Sequence, residues 1–312
     1  MIVESLVFNV ALLFLMLIPG FVMAKYRLSS EGFGKGLANI VLYFAQPALI
    51  VSAYIRPYDA RILENLIVVF LFSVLSHLLF TAAAFLFFHR AEEGRAKMLR
   101  FATIFSNAAY MGIPLIVAIL GEEAAIYASI YSITFNLFVW SLGVFICTGD
   151  KKQASLKKVA LHPVTISSVL GLLLFFLPID MYVPSILVTG LSMLKELVAP
   201  LSMIIIGLRL AELSLKGVFR DRYLYGYLTL RLLALPTIIF FIMYGLRFIG
   251  LPITDVAVTV ILISAATPAA TATSMFAEKF DCDAAYAGML VAISTILSIV
   301  TMPLVSLLLQ LL

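Results

Sequence analysis

Long apolar blocks alternate with short hydrophilic gaps along the whole chain of 312 residues. A helix that crosses the hydrocarbon core of a bilayer needs roughly 20 apolar residues. Ten blocks meet or approach that length, at about 3–23, 34–55, 65–89, 100–120, 124–148, 163–179, 186–210, 222–249, 254–275 and 284–311. No gap is long enough for a separate soluble domain. The pattern therefore predicts an all-α membrane protein with ten transmembrane helices, the first of them a retained span rather than a signal peptide.

The composition supports this prediction and excludes other classes of protein. Hydrophobic residues make up 63% and charged residues 12% of the chain, and the mean hydropathy is +1.12. Soluble domains are typically about half apolar and a quarter charged, so we exclude a soluble enzyme and a nucleic-acid-binding protein. Cys147 and Cys282 are far apart in the sequence. We therefore expect neither a disulfide framework nor a metal site, and no cofactor is implied.

The Lys and Arg residues predict an orientation because they are concentrated in alternate gaps. The gaps after odd-numbered blocks contain sixteen of them: Lys25, Arg27, Lys35, Arg90, Arg95, Lys97, Arg100, Lys151, Lys152, Lys157, Lys158, Arg209, Lys216, Arg220, Arg222 and Lys279. The gaps after even-numbered blocks contain only three, Arg56, Arg61 and Arg247. Cytoplasmic loops carry the excess of basic residues. We therefore expect a multi-pass protein of the cell (inner) membrane with both termini on the non-cytoplasmic side.

The prolines indicate an internal repeat. Pro47 and Pro200 lie in spans 2 and 7 and are 153 residues apart, while Pro114 and Pro268 lie in spans 4 and 9 and are 154 residues apart. Each half of the chain then has five spans, and an odd number of spans forces the two halves into opposite orientations. The spacing predicts two inverted five-helix repeats, residues 1–150 and residues 151–312.

Spans 4 and 9 are predicted to be broken helices. Residues 106–114 read Ser-Asn-Ala-Ala-Tyr-Met-Gly-Ile-Pro, and residues 264–274 read Ser-Ala-Ala-Thr-Pro-Ala-Ala-Thr-Ala-Thr-Ser. Proline removes a backbone donor and glycine loosens the turn beside it, so the freed polar groups need protein or water partners. The half-helix N-termini at such breaks can bind an anion. The alternative is that these residues only kink helices that pack against their neighbours.

Two ionisable residues lie in the middle of spans. His77 in span 3 and Arg231 in span 8 are 154 residues apart, the same offset as the prolines of spans 4 and 9. An ionisable group at membrane depth usually faces a cavity or a partner, so both are candidates for support of the binding site or for coupling to an ion. The alternatives are that Arg231 snorkels toward the cytoplasm and that His77 makes a neutral hydrogen bond between helices.

Charged residues near the outer ends of the spans are weaker candidates. Lys195 and Glu196 precede Pro200 by about one turn, so they are either support or coupling residues or neighbours at the outer mouth of span 7, with Lys195 snorkelling. The acidic pair Glu122 and Glu123 is interpreted as solvated loop charge.

Taken together, several stretches resemble the auxin efflux carrier family of membrane transporters. They are residues 42–49, Leu-Tyr-Phe-Ala-Gln-Pro-Ala-Leu; residues 107–115; residues 136–143, Asn-Leu-Phe-Val-Trp-Ser-Leu-Gly; His162-Pro163; residues 199–201 followed by Ile206-Gly207; and the C-terminal runs at residues 268–271, 276–280, 294–298 and 301–304. The resemblance extends over nearly the whole chain and rests on the order and spacing of these stretches.

This resemblance implies a fold similar to that of the bile-acid symporter and NhaA-like transporters, in which helices 4 and 9 cross at their breaks. It implies a scaffold of helices 1, 2, 6 and 7, a mobile transport unit of helices 3–5 and 8–10, and a homodimer formed through scaffold helix 2 or 7. The substrates it implies are organic anions, namely indole-3-acetate in plants or dicarboxylates such as malonate or malate in bacteria. Only residues 149–162 separate spans 5 and 6, which is similar to compact prokaryotic members. His162 is interpreted as a helix-start residue rather than a metal ligand.

We therefore expect a secondary transporter that moves a small organic anion by elevator-type alternating access. The candidate substrate-binding residues surround the two breaks: Asn107, Gly112, Pro114, Thr267, Pro268 and Thr271. An anion channel and a ligand-sensing receptor of the same fold remain alternatives, and coupling to sodium or protons stays open. No nucleophile motif, zinc-protease motif or phosphate loop occurs in the sequence, so we expect no enzyme activity.

Overall fold

The computed structural model describes residues 2–30, 32–177, 183–211 and 221–312. Lys216 and Arg220, two of the basic residues counted in the predicted cytoplasmic gaps, lie outside these ranges. Within the described residues, seven helices are long and apolar enough to cross a membrane, and three shorter apolar helices accompany them. The prediction of an all-α membrane protein is confirmed.

We number the helices by the predicted spans with which they coincide. They are α1 Val7–Lys25, α2 Phe33–Tyr54, α3 Ala60–Phe87, α4a Glu93–Ile104, α4b Ala108–Leu120, α5 Ala124–Thr148, α6 Pro163–Phe175, α7 Ser185–Ala211, α8 Arg222–Phe248, α9a Asp255–Ala266, α9b Ala272–Lys279 and α10 Ala284–Leu311.

Two helices begin earlier than the apolar blocks indicate. Helix α3 begins five residues before the predicted edge because the side chain of Asp59 accepts a hydrogen bond from the amide of Arg61 and caps the helix there. Helix α4a begins at Glu93, in a hydrophilic segment. Hydropathy marks the part of a helix that crosses hydrocarbon, so it misses turns that continue into water.

Three prolines account for three of the four π turns in the described part of the chain; the fourth, Val139–Gly143 in α5, has no proline beside it. A proline clashes with the carbonyl group four residues before it and leaves one carbonyl without a donor. A single π turn absorbs such a defect. One π turn directly precedes the helical segment that holds each of Pro47, Pro114 and Pro236; the turns are Val41–Ala45, Ala108–Gly112 and Leu230–Ala234. Helix α7 is instead interrupted at residues 196–197, just before Pro200.

Helices α1 and α7 cross at close range through two glycines. A Cβ atom on Gly20 would lie 2.1 Å from the carbonyl oxygen of Ile204, and one on Gly207 would lie 2.1 Å from that of Leu17. Small residues allow helix backbones in a membrane to approach this closely. The same part of the molecule contains the contacts of α2 with α6 and α7. A second group of contacts joins α3 to α4a and α5, and α9 to α8 and α10.

Candidate functional site

The breaks in spans 4 and 9 meet and bond to each other. Ser106 and Ala269 form an antiparallel bridge between the two segments. The amide of Asn107 donates to the carbonyl oxygen of Pro268 at 2.8 Å, and the amide of Ala270 donates to that of Phe105 at 2.9 Å. Each break thus satisfies backbone groups of the other, as buried polar groups require. We call residues 105–107 and 267–271 together the crossover.

A cavity of about 550 Å³ lies beside the crossover. Its walls come from α2, from α4 and α9 at the crossover, from α5, and from the segment that leads into α6. The polar and basic lining residues are Gln46, Ser106, Asn107, Ser132, Asn136, Ser155, Lys157, Lys158, His162 and Thr271. Most other lining residues are apolar or aromatic, and no Asp or Glu side chain of the described residues lines the cavity.

The crossover presents donors to this cavity. Asn107 is only 2% exposed, and its side-chain Nδ2 has no hydrogen-bond partner among the described residues. Helix α4b begins directly after Asn107, and α9b begins directly after Thr271. The first amides of a helix lack carbonyl partners within the helix, and its N-terminus carries a partial positive charge. Two helix starts and an unpaired amide group can therefore hold a carboxylate.

The cavity includes two of the six predicted binding residues, Asn107 and Thr271. The other four are buried behind its surface. The carbonyl oxygen of Pro268 accepts from Asn107, and a Cβ atom on Gly112 would contact the Cγ2 of Thr267 at 3.4 Å. Pro114 is buried in the first turn that follows the π turn. These four residues shape the crossover rather than line the cavity.

Arg231 is fully buried behind the crossover. Its Nη2 donates to the carbonyl oxygen of Thr267 at 2.6 Å, and its guanidinium lies 5.2 Å from the ring centroid of Phe80. Its Nε and Nη1 have no hydrogen-bond partner among the described residues. The snorkelling alternative is wrong, because the side chain bonds to the crossover. A cation at this carbonyl also lies at the C-terminal end of α9a, where the helix dipole favours positive charge.

His77 lies one turn from Phe80 on α3 and is also buried. The ring donates from Nδ1 to the carbonyl oxygen of Ser73 at 2.7 Å, and it stacks on Phe138 with a centroid distance of 4.9 Å. Its Nε2 has no partner in the described part of the chain. The alternative of a hydrogen bond between helices is wrong, because the acceptor belongs to the same helix. Neither His77 nor Arg231 lines the cavity.

Lys195 and Glu196 lie away from the cavity. Lys195 is paired with Glu122 at 2.5 Å, and its side chain is 13% exposed; Glu196 is exposed. Arg56 is paired with Glu123 at 2.8 Å. Glu122 and Glu123 remain exposed to solvent, with side chains 62% and 66% exposed, as expected for solvated loop charges. Each also binds a basic residue, because the α4b–α5 turn lies beside the end of α2 and the interruption of α7.

The side chain of Arg56 also affects the ionisation of its partner. Its hydrogen bond and its positive charge hold the pKa of the Glu123 carboxyl below its usual value, while burial acts in the opposite direction. The pair is therefore formed at neutral pH.

The sequence did not predict the polar residues that line the cavity on α2, on α5 and before α6. The amide of Gln46 donates to the carbonyl oxygen of Ala109 at 2.9 Å, and Asn136 is paired with His162 at 3.2 Å. His162 precedes the first turn of α6, which confirms its prediction as a helix-start residue. The available signal was a set of neutral polar residues inside apolar spans. Only the fold shows that they face the same cavity as Asn107.

Comparisons with known proteins agree with this architecture. The family model described as membrane transport protein matches residues 5–157 and 151–306. The two matched segments overlap at residues 151–157, next to the predicted boundary between the repeats. The chain is 28% identical over 291 residues to an uncharacterized transporter of Methanothermobacter thermautotrophicus, covering 91% of this chain and 92% of that protein. It is 26% identical over 220 residues to an uncharacterized transporter of Methanocaldococcus jannaschii, covering 67% and 71%. The chain therefore belongs to the membrane transport protein family of auxin efflux carriers, and it is a multi-pass membrane transporter rather than an enzyme.

Proposed function

We propose that this transporter is a secondary carrier that moves a small organic anion by elevator-type alternating access. The observation that carries the proposal is the position of the cavity. On one side it is lined by α2 and the start of α6, which belong to the expected scaffold, and on the other by α4, α5 and α9, which belong to the expected mobile unit. A ligand in this cavity would touch both units and would travel with one of them.

The proposed topology has ten spans in two inverted repeats, residues 1–150 and 151–312, with both termini outside the cytoplasm. Two features support it. The crossover joins the breaks of spans 4 and 9 in an antiparallel manner, as expected when the two halves have opposite orientations. The cavity also extends to Lys157 and Lys158, which lie in a gap with the cytoplasmic excess of basic residues. The cavity would therefore open toward the cytoplasm.

In this proposal the substrate carboxylate binds at Asn107 and Thr271, between the starts of α4b and α9b. Gly112, Pro114, Thr267 and Pro268 give the crossover its shape. Arg231 supplies a fixed positive charge behind the crossover, and His77 is a proton-sensitive neighbour. The absence of Asp and Glu from the described cavity lining supports an anionic ligand rather than a cationic one.

The cavity walls favour an auxin-like acid over a small dicarboxylate such as malonate or malate. Aromatic side chains contribute much of the lining: Tyr43, Tyr110, Phe135, Trp140 and Phe276. An anion that enters a largely apolar cavity loses its hydration, and a second carboxylate would double that loss. One carboxylate can be compensated at the crossover, while an aromatic ring gains from burial against the walls.

Contacts at the opposite side of the molecule support a motion of two units. Glu122 and Glu123 belong to the mobile unit, whereas Lys195 lies beside the interruption of α7 and Arg56 follows the end of α2 in the scaffold. These two ion pairs would close the outer side while the cavity is open to the cytoplasm. A homodimer through α2 or α7 is part of the proposal, since both helices have exposed apolar residues such as Phe44 and Ile186.

Counterflow in proteoliposomes tests the proposed function. Vesicles loaded with unlabelled indole-3-acetate should transiently accumulate radiolabelled indole-3-acetate, and unlabelled phenylacetate should compete more strongly than malonate. Repeating the assay with imposed sodium or proton gradients identifies the coupling ion. An anion channel would conduct without saturation and would show no counterflow, and a receptor would bind without moving the anion. Either result contradicts the proposal.

A further inference from the structure

Three residues of α5 form a row along the cavity wall. Ser132, Asn136 and Trp140 are spaced four residues apart, and all three line the cavity. Residues four apart lie on the same face of a helix, about 6 Å apart along its axis. Ser132 lines the cavity together with the crossover residues Ser106 and Asn107. Asn136 therefore lies about one helical turn, roughly 6 Å, from Ser132, toward the part of the cavity that Lys157 and Lys158 line.

Asn136 and His162 together offer a donor and an acceptor. Asn136 is 5% exposed, and its Nδ2 lies 3.2 Å from Nδ1 of His162. In this pair the amide donates and Nδ1 accepts, so the second ring nitrogen of His162, Nε2, carries the hydrogen. No hydrogen bond from the described residues reaches this Nε2 or Oδ1 of Asn136. A hydroxyl group can donate to that Oδ1 and accept from that Nε2–H.

We propose that Asn136 and His162 form a distal subsite that binds a hydrogen-bonding group of the substrate, about one helical turn along α5 from Ser132 and the crossover residues that line the cavity beside it. This inference rests on the proposed binding of an organic anion at the crossover, and it specifies the substrate class. The preferred ligand is an acid with a compact apolar body and a hydroxyl or ring N–H group at the far end. Phe135 lies between Ser132 and Asn136 in the sequence and lines the same cavity, so it provides an apolar contact for the body of the ligand.

The test compares two acids that differ in one hydroxyl group, 4-hydroxyphenylacetate and phenylacetate. Equilibrium binding of each radiolabelled acid is measured on the full-length protein in lipid nanodiscs. A hydrogen bond contributes about 0.5–1.5 kcal/mol, so the wild type should bind the hydroxylated acid about two- to tenfold more tightly. The variant Asn136→Leu should bind both acids equally.

Two further variants distinguish the subsite from a general effect on folding. His162→Phe removes the other half of the pair and should also reduce the preference for the hydroxylated acid. Asn65→Leu makes the same chemical change at an asparagine that bonds to Thr254 outside the cavity, and it should keep the wild-type preference.

The possible failures are distinguishable. If the wild type binds phenylacetate but gains nothing from the hydroxyl group, or if Asn136→Leu retains the preference, the distal subsite is wrong and the proposed function stands. If neither acid binds to the wild type, the anion site at the crossover is wrong as well.

Discussion

Replacing Arg231 by glutamine should weaken anion binding without unfolding the protein. The guanidinium of Arg231 donates to the carbonyl oxygen of Thr267 at 2.6 Å, and the amide of Asn107 donates to the carbonyl oxygen of the next residue, Pro268, at 2.8 Å. The two carbonyl groups are separated by one residue of extended chain, so a carboxylate at Asn107 lies about 10 Å from the positive charge. At an effective dielectric constant of about 20, Coulomb's law gives about 1.7 kcal/mol for this distance. The predicted loss is about 15-fold in affinity.

Folding should tolerate this change because the charge is costly to bury. Insertion of an arginine at the centre of a membrane helix costs about 2.5–3.5 kcal/mol, and two of the guanidinium nitrogens lack partners among the described residues. The variant Arg231→Gln removes this cost together with the attraction to the anion. Arg231→Lys keeps the charge, so its affinity should lie closer to that of the wild type.

The assay is equilibrium binding of radiolabelled phenylacetate to the purified variants in nanodiscs, with gel filtration and thermal unfolding as controls for folding. The expected order of affinity is wild type, then Arg231→Lys, then Arg231→Gln. If Arg231→Gln is folded and its affinity lies within twofold of the wild type, the guanidinium does not act on the anion. Its role would then be limited to the hydrogen bond with Thr267.

Three further predictions concern other parts of the molecule. His77→Gln should flatten the pH dependence of counterflow, because it removes the imidazole that we propose as the proton-sensitive neighbour of the crossover; an unchanged profile would assign His77 to packing alone. Gly207→Ala places a methyl group against the carbonyl of Leu17, so thermal unfolding should occur several degrees lower, because overpacking costs about 1–3 kcal/mol. Arg56 lowers the pKa of the Glu123 carboxyl. The stabilisation from this pair is therefore present above the carboxyl's ordinary pKa and is lost as the pH falls through the lowered one. The ratio of cysteine labelling at the α4b–α5 turn in the wild-type background to that in Arg56→Gln, measured at the same pH so that the intrinsic pH dependence of the thiol cancels, should rise toward one over that acidic range.

The helices could be predicted from the sequence because hydrocarbon imposes a simple requirement on length and apolarity. The breaks could be predicted because proline has a fixed chemical effect on a helix. The offset of 154 residues between Pro114 and Pro268 also indicated that the two breaks correspond. Hydropathy gave no information on the rotation of each helix about its axis. For that reason Gly112 and Thr267 were predicted to line a site, whereas they pack against each other behind it.

The polar walls of the cavity could not be predicted for a related reason. Asn136 in α5 and His162, just before α6, are 26 residues apart. The pair of Lys195 and Glu122, outside the cavity, likewise joins residues 73 apart. Such pairs depend on how the helices are arranged around one another. Neutral polar residues inside spans were visible in the sequence, but their shared direction is a property of the assembled bundle.

Side-specific labelling of a cavity residue tests the central claim, that one anion site opens alternately to the two sides of the membrane. Ser132→Cys would be introduced with Cys147 and Cys282 replaced by serine, and labelled with a membrane-impermeant thiol reagent in vesicles of either orientation. We predict rapid labelling from the cytoplasmic side, slower labelling from the opposite side, and protection from both sides by phenylacetate. Labelling that stays confined to one side under all conditions, or that phenylacetate does not affect, would contradict the account.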